Sequence, residues 1–381
     1  MMAKILFFPV GNGDMTLVEF ESGKQLLIDM DIRQAADDPD DDTFDVATDL
    51  RSRLRRENGR LYVDAILISH PDKDHCTGLN KHFHLGHPDD WSEDDDKIMI
   101  RQMWSSPMVF RRASKEHVLC DDALAYNAEA RRRVSAFRKG EGSVDGNRIL
   151  ILGEDENGKT DDLGEILIRT HDVFSHINGV TDDTFSIRLL APMPKDDDEA
   201  IEDVRSKNHS STILQISMSA EGVKDVCKFL TAGDAEVAIW DMLWNRHKDA
   251  RENLQYHILQ APHHCSWHSL SYDSWSQNGE NAESSPDARS ALGQALTGAT
   301  IIASCKPIED DGKDPPCIGA KREYEIIAKN AGGTFVCVGD QNGVYEITIN
   351  RNGAKNPTLI NKNISVISSG AVGSQPLGHG N

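Results

Sequence analysis

The hexapeptide His70-Pro71-Asp72-Lys73-Asp74-His75 places four side chains able to ligate a metal within six positions. Imidazole and carboxylate at this density suit zinc or manganese more than calcium or magnesium. The ligands follow an apolar run, Ala65-Ile66-Leu67-Ile68, bounded by Ser69 and Pro71, which reads as a buried strand ending where the ligands begin. A polar turn rich in Asp and His is the competing account of the hexapeptide taken alone, because a metal site needs ligands from elsewhere in the fold to close.

Those distant residues are present. Lys228-Phe229-Leu230-Thr231-Ala232-Gly233-Asp234 repeats the design, an apolar strand running into a small-residue turn that presents one carboxylate. Ile258-Leu259-Gln260-Ala261-Pro262-His263-His264 repeats it again, and Leu26-Leu27-Ile28-Asp29 adds a carboxylate near the start of the chain. Each alone is also a satisfied polar cap on a strand; together they describe one site assembled at several strand ends.

In this order of motifs the chain resembles the metallo-β-lactamase superfamily, and within it the hydrolase domain of ComEC-type DNA-uptake proteins. Further matches carry the narrower resemblance: Val10-Gly11-Asn12-Gly13-Asp14, Leu190-Ala191-Pro192, Asn208-His209-Ser210-Ser211 and His263-His264-Cys265-Ser266. Ile301-Ile302-Ala303-Ser304-Cys305-Lys306, Gly333-Thr334-Phe335-Val336 and Asn342-Gly343-Val344 follow that family's closing strands, so the resemblance spans about residues 4–350. Asp72 stands where most of the superfamily has His, which is the ComEC-type variant. Where that family tends to carry Gly-His-Pro, this chain has Lys313-Asp314-Pro315-Pro316, with His268 one possible substitute. The transmembrane helices of ComEC proteins have no counterpart here.

The resemblance implies an α/β fold, the αββα four-layer sandwich of the superfamily, with an inserted segment. It implies two divalent cations, zinc or manganese, about 3.5–4 Å apart and sharing Asp234 as a bridging ligand. His70, Asp72 and His209 are assigned to one cation, and Asp74, His75 and His263 to the other. Asp72 hardens the first site and moves its preference toward manganese, or leaves that site weakly filled. Asp14 and Asp29 are read as buried acids that orient ligand imidazoles. His264, His268 or Lys306 would meet the leaving group or a substrate phosphate. Asp72, Asp74, His264 and Lys306 are the residues expected to act on the substrate.

Composition bounds the rest. The chain has 381 residues, 41 basic against 62 acidic, for a net charge of −21, a field that opposes coating of nucleic acid by charge alone. Acid gathers at Asp37–Asp42, Asp94–Asp96 and Asp196–Glu199. Basic runs at Arg51–Arg56 and Arg131–Arg133 fall in helical patterns and read as solvated faces more than phosphate-binding ones. No apolar stretch approaches the roughly 20 residues of a membrane span, and the N-terminus turns polar too soon for a secretory signal. Seven cysteines without a C-x-x-C pair argue for a reducing cytoplasm rather than a disulfide framework, with Cys265 read as a buried inert thiol.

One domain is expected over residues 1–350. Helices are expected over residues 45–59, from Cys76 to Phe83, from Ala123 to Lys139 and from Val237 to His247. Residues 84–186 exceed the minimal fold and are read as an enlarged insertion, a cap or cleft edge open to a protein partner. Residues 351–381 read as a mobile C-terminal tail. Three functions fit: hydrolysis of a phosphodiester by a nuclease or nucleotide phosphodiesterase, hydrolysis of a lactam, lactone or thioester, and a metal-stabilised scaffold. The ComEC resemblance implies the phosphodiester, with a nucleic acid or nucleotide as substrate, and a two-metal clamp with Lys306 nearby suits a phosphoryl group.

Overall fold

The computed structural model describes residues 2–38, 40–107, 119–155, 158–193 and 211–356. His209, Arg111, Arg112, the acidic run at 196–199 and the tail from residue 357 lie outside them. The fold is α/β. Its larger sheet has eleven strands among the described residues. Nine of them run in the order Leu167–Ile168, Arg148–Leu152, Ile98–Ser105, Arg60–Ile68, Gln25–Ile28, Thr16–Glu19, Ala3–Phe7, Tyr345–Asn350 and Gly353–Lys355. The second sheet has seven, in the order Val173–Phe174, Phe185–Ala191, Ile213–Ala220, Val223–Leu230, Tyr256–Gln260, Ala295–Ala303 and Thr334–Cys337.

The central strands are buried on both faces, which is why they read as unbroken apolar runs. Successive residues serve different cores, as the two-residue period of a strand requires. Leu26 and Ile28 enter the core shared by the two sheets, where Phe7 meets Phe229 edge to face at 5.8 Å. Leu27 enters a second core, packed with Ala123, Tyr126, Ala130 and Val134 of the helix Asp121–Arg138. Leu230, Leu259 and Ile301 pack in a third with Trp240 and Leu243 of the helix Val237–His247 and Tyr324 and Ile327 of Ile318–Asn330.

Strand direction positions the site. Gln25–Ile28 is parallel to Arg60–Ile68, and Val223–Leu230, Tyr256–Gln260 and Ala295–Ala303 are mutually parallel neighbours. Asp29, His70, Asp234, His263 and Ser304 therefore all follow carboxyl ends of parallel strands, where open α/β sheets present their ligand-binding loops. Asp14 precedes Thr16–Glu19, which is antiparallel to Gln25–Ile28 with Thr16 opposite Ile28, so it reaches the same edge from the other direction.

Several elements differ from the sequence expectation. The helix over residues 45–59 is Val46–Arg53, after which Arg55–Glu57 turns back on Arg60–Ile68 as a hairpin. Asn58 and Gly59 both have positive φ, 50° and 84°, the demand of a tight hairpin turn that an Asn-Gly pair meets. The stretch from Cys76 to Phe83 is two short helices, Lys73–Cys76 and Leu79–His82, parted at Gly78 with φ 95°. A Cβ there would lie 2.8 Å from that of Ile32.

Part of residues 84–186 contributes strands to the larger sheet. Ile98–Ser105 pairs in parallel along Arg60–Ile68, and Arg148–Leu152 pairs in parallel beyond it. The basic run Arg131–Arg133 is likewise structural in part: Arg133 is buried, donates to Glu129 at 2.6 Å and caps the carbonyls of Ile100 and Arg148. Arg132 also donates to Glu129. In the other run, Arg51 and Arg56 face Asp96, Arg53 faces Asp49 and Glu346, and Arg55 faces Asp64. These four arginines are spent on carboxylates. At the other end, Gly353–Lys355 is a strand paired with Tyr345–Asn350, so ordered structure continues past residue 350. Among the described residues no helix is long and apolar enough to cross a membrane.

Candidate metal centre

Asp14, His75, Asp234 and His264 form a buried group whose potential ligand atoms lie within 4.8 Å of one another, and which could hold a metal ion. Asp234 stands at its middle. Its Oδ1 is 3.0 Å from His75 Nε2 and 3.5 Å from His264 Nε2, while its Oδ2 is 3.6 Å from both His70 Nε2 and His263 Nε2. The two oxygens of one carboxylate thus face two separate pairs of imidazoles. Asp74 Oδ2 lies 3.4 Å from His264 Nε2, and Asp72 Oδ2 lies 3.9 Å from His70 Nε2.

The loops hold this arrangement by close backbone approach. Asp234 N–H donates to Ser211 Oγ, and His263 N–H donates to the Gly233 carbonyl. Asp14 N–H donates to the Asp74 carbonyl, and a Cβ on Gly13 would lie 2.7 Å from Asp31 Oδ2. His263, His264 and Cys265 have φ of 50°, 51° and 68° in succession. Left-handed backbone at three consecutive residues with side chains stores strain, a feature that gathers at functional sites.

Behind the imidazoles lie their orienting partners. His75 Nδ1 is 3.0 Å from Asp29 Oδ2. Ser69 donates from its backbone to Asp29 Oδ1 at 2.6 Å and from its hydroxyl to Oδ2 at 2.7 Å, and the hydroxyl oxygen is 3.1 Å from His70 Nδ1. His264 Nδ1 faces the Ser304 carbonyl at 3.2 Å and Asp14 Oδ1 at 3.5 Å. A proton on Nδ1 then meets Asp29 in His75, the Ser69 hydroxyl oxygen in His70 and the Ser304 carbonyl in His264, and leaves each Nε2 lone pair turned toward Asp234, the tautomer of an imidazole ligand.

Several buried polar atoms have no hydrogen-bond partner: both oxygens of Asp14, Asp234 Oδ1, His263 Nδ1, and Nε2 of His70, His75 and His264. So many buried acceptors and lone pairs converging without donors is costly unless a cation completes the cluster. Without one, protons take part of that role. Burial disfavours the charged form of His75, but Asp234 and Asp29 outweigh it and raise its pKa well above the ordinary value. Burial likewise opposes charge on His264, and Asp234 and Asp14 outweigh it in the same direction. His70 goes the other way, lowered by burial and by the charge of His75. Burial works to raise Asp234 and Asp74, yet the surrounding histidines hold both carboxyls below the usual range.

Of the residues read from the sequence, His70, Asp72, Asp74, His75, Asp234 and His263 are brought together, with one regrouping. His263 faces Asp234 Oδ2 beside His70 rather than joining Asp74 and His75. His264, expected at the leaving group, is the buried imidazole that joins them. His209 lies outside the described residues. Lys306 is exposed and lines a cleft of about 480 Å³ with Asn12, Lys313 and the prolines Pro315 and Pro316, and with two carboxylates, Glu309 and Asp311; its N–H donates to Asn12 Oδ1. His268 lies 3.9 Å from Asp314, away from these contacts. All seven cysteines are free, and burial raises the Cys265 thiol, as an inert thiol requires.

Two participants escaped the sequence reading. Ser69 links Asp29 to His70, and Asp31 packs against the Gly13 loop with its pKa raised to about 6, chiefly by burial. The spacing Asp29-Met30-Asp31 was the available signal for the latter. No protein-family model matches the chain, and no curated protein matches it.

Proposed function

We propose that this chain is a metal-dependent hydrolase with the αββα four-layer arrangement of the metallo-β-lactamase superfamily, acting on a phosphodiester through a dinuclear site. The observation that carries the reading is the division of Asp234: one oxygen faces His75 and His264, the other His70 and His263. That supports one cation among His70, Asp72 and His263, a second among Asp74, His75 and His264, and Asp234 shared between them. Bound there, divalent cations would supply positive charge for a developing oxyanion and lower the pKa of a water molecule toward neutrality.

The chain's own part is to hold that site rigid and to meet the substrate. Asp29, directly and through Ser69, fixes the rings of His75 and His70. Lys306 presents a positive charge at the cleft that Asn12 joins to the Asp14 loop, a place for a phosphate oxygen. The free thiols support a reducing, cytoplasmic setting.

The test joins metal content to turnover. Purified chain should bind two equivalents of zinc or manganese and cleave a nucleotide or nucleic-acid diester, and Asp234→Ala should lose both metal and turnover while staying folded. Retention of metal and turnover in Asp234→Ala would refute the shared-ligand assignment. Cleavage of a lactam or thioester, with no diester cleaved across manganese, magnesium and zinc, would move the function to carbonyl substrates. Metal binding without any turnover would favour a scaffold.

A further inference from the structure

The helix Val237–His247 ends on a second group of nitrogen-bearing side chains that uses no residue of the metal cluster. The rings of His171 and His247 lie 5.1 Å apart, edge to face. Arg246 Nη1 is 2.7 Å from His171 Nε2. A guanidinium only donates, so Nε2 accepts and the proton of that ring sits on Nδ1. Asn253 Nδ2 is 3.2 Å from His247 Nδ1, which in the same way leaves the proton of the second ring on Nε2.

Both of those N–H groups, His171 Nδ1 and His247 Nε2, are buried and meet no acceptor. His247 is 5% exposed, so its unmet donor lies in the interior. Arg188 Nη1 donates to the His171 carbonyl at 3.1 Å, and Arg188 also acts electrostatically on both rings. Asp172 near His171 and Glu252 near His247 are the carboxylates that act on the pair, and neither accepts from the two unmet N–H groups.

We propose that His171, His247, Arg188 and Arg246 form a binding site for a phosphate-class oxyanion. An oxyanion only accepts, and the group offers donors without acceptors. Burial and the two arginines keep both rings neutral, His247 down to about 4, so the rings donate while the guanidinium groups supply the charge. A metal cation is the wrong ligand, because the ring nitrogens free to meet it carry protons rather than lone pairs. A water molecule would satisfy the N–H groups but leave the arginine charge unused.

The site stands independently of the hydrolase reading, and its test has a readout local to it. Imidazole nitrogen–proton NMR of the labelled full chain should show the His171 Nδ1–H and His247 Nε2–H protons shifting downfield, saturably, as inorganic phosphate is added, with both rings staying neutral. Sodium chloride at matched ionic strength should leave both unchanged. Arg246 is exposed, so Arg246→Gln should fold and weaken the titration at least tenfold; Arg188→Gln should do the same. Tighter binding of a nucleoside monophosphate would identify a phosphate carried on a larger ligand, and equal binding the free anion. Silent imidazoles, an equal response to chloride, or a titration unchanged in Arg246→Gln would each overturn the proposal.

Discussion

Asp29 holds His75 by its rear nitrogen: Asp29 Oδ2 lies 3.0 Å from His75 Nδ1, and the opposite nitrogen of the same ring lies 3.0 Å from Asp234 Oδ1. The same Asp29 carboxylate accepts twice from Ser69, whose hydroxyl touches the ring of His70. One buried acid therefore sets the rotation of two imidazoles that serve opposite oxygens of Asp234.

Asp29→Asn separates that role from the backbone. Asp29 has φ 56°, a left-handed conformation that Asn tolerates well, so the substitution changes charge and basicity rather than the turn. Metal affinity should fall about 10–100-fold, the usual loss when the partner behind a ligand imidazole is removed, with the circular dichroism spectrum retained. A metal titration checks it, and an unchanged affinity would show that Asp29 serves the fold alone.

How much of this was legible follows from the strands. Ala65-Ile66-Leu67-Ile68 and Leu26-Leu27-Ile28 are buried on both faces, so their apolar runs announced them, and ligands at their carboxyl ends could be read by adjacency. Which of His263 and His264 faces which oxygen of Asp234 could not. Beyond Gln260 the chain leaves the strand, and positive φ at His263, His264 and Cys265 breaks the alternation that would have predicted side-chain direction. The role of Arg133 was hidden for a related reason: its carboxylate partner is one helical turn away, but the carbonyls it caps belong to Ile100 and Arg148, which pairing of distant strands brings to it.

Asp72 sits 3.9 Å from His70 and is the hardest donor expected on the first cation. Asp72→His replaces a carboxylate with an imidazole and should raise zinc affinity about tenfold, about 1.4 kcal/mol of binding. It should also move the best activating metal from manganese toward zinc. Competition with a chromogenic chelator measures the first, and a metal series on turnover the second. No change in either would place Asp72 outside the metal's reach.

Metal-free protein should lose stability as pH rises above neutrality. His75 and His264 have pKa values raised above about 6.5 in the folded chain, so their protonated contribution is complete below that pH and is lost as pH climbs through the folded values. Asp74 and Asp234 are lowered, and their contribution is lost only as pH falls through values below about 3.8. A cation must displace the histidine protons, so metal affinity should rise with pH across the range where the metal-free protein weakens. Melting temperatures with and without zinc, with calorimetry in buffers of different ionisation heat to count released protons, should show the two curves parting above neutrality. Parallel curves and no released proton would contradict the linkage.

Lys306 decides between substrates. Its backbone is fixed on two sides of the site: its N–H donates to Asn12 Oδ1, and two residues earlier the Ser304 carbonyl faces His264 Nδ1. The ammonium is exposed on the cleft and free to meet a phosphate oxygen as a point charge. Lys306→Ala should therefore lower kcat/KM for a phosphodiester about tenfold, or about 1.4 kcal/mol of transition-state stabilisation, while metal content stays at the wild-type level. Lys306→Arg keeps the charge and should recover most of the loss. A diester turnover untouched by either change would remove Lys306 from substrate contact. A defect confined to carbonyl substrates bearing a carboxylate would show that the same charge reads a different anion, and would count against the phosphodiester assignment itself.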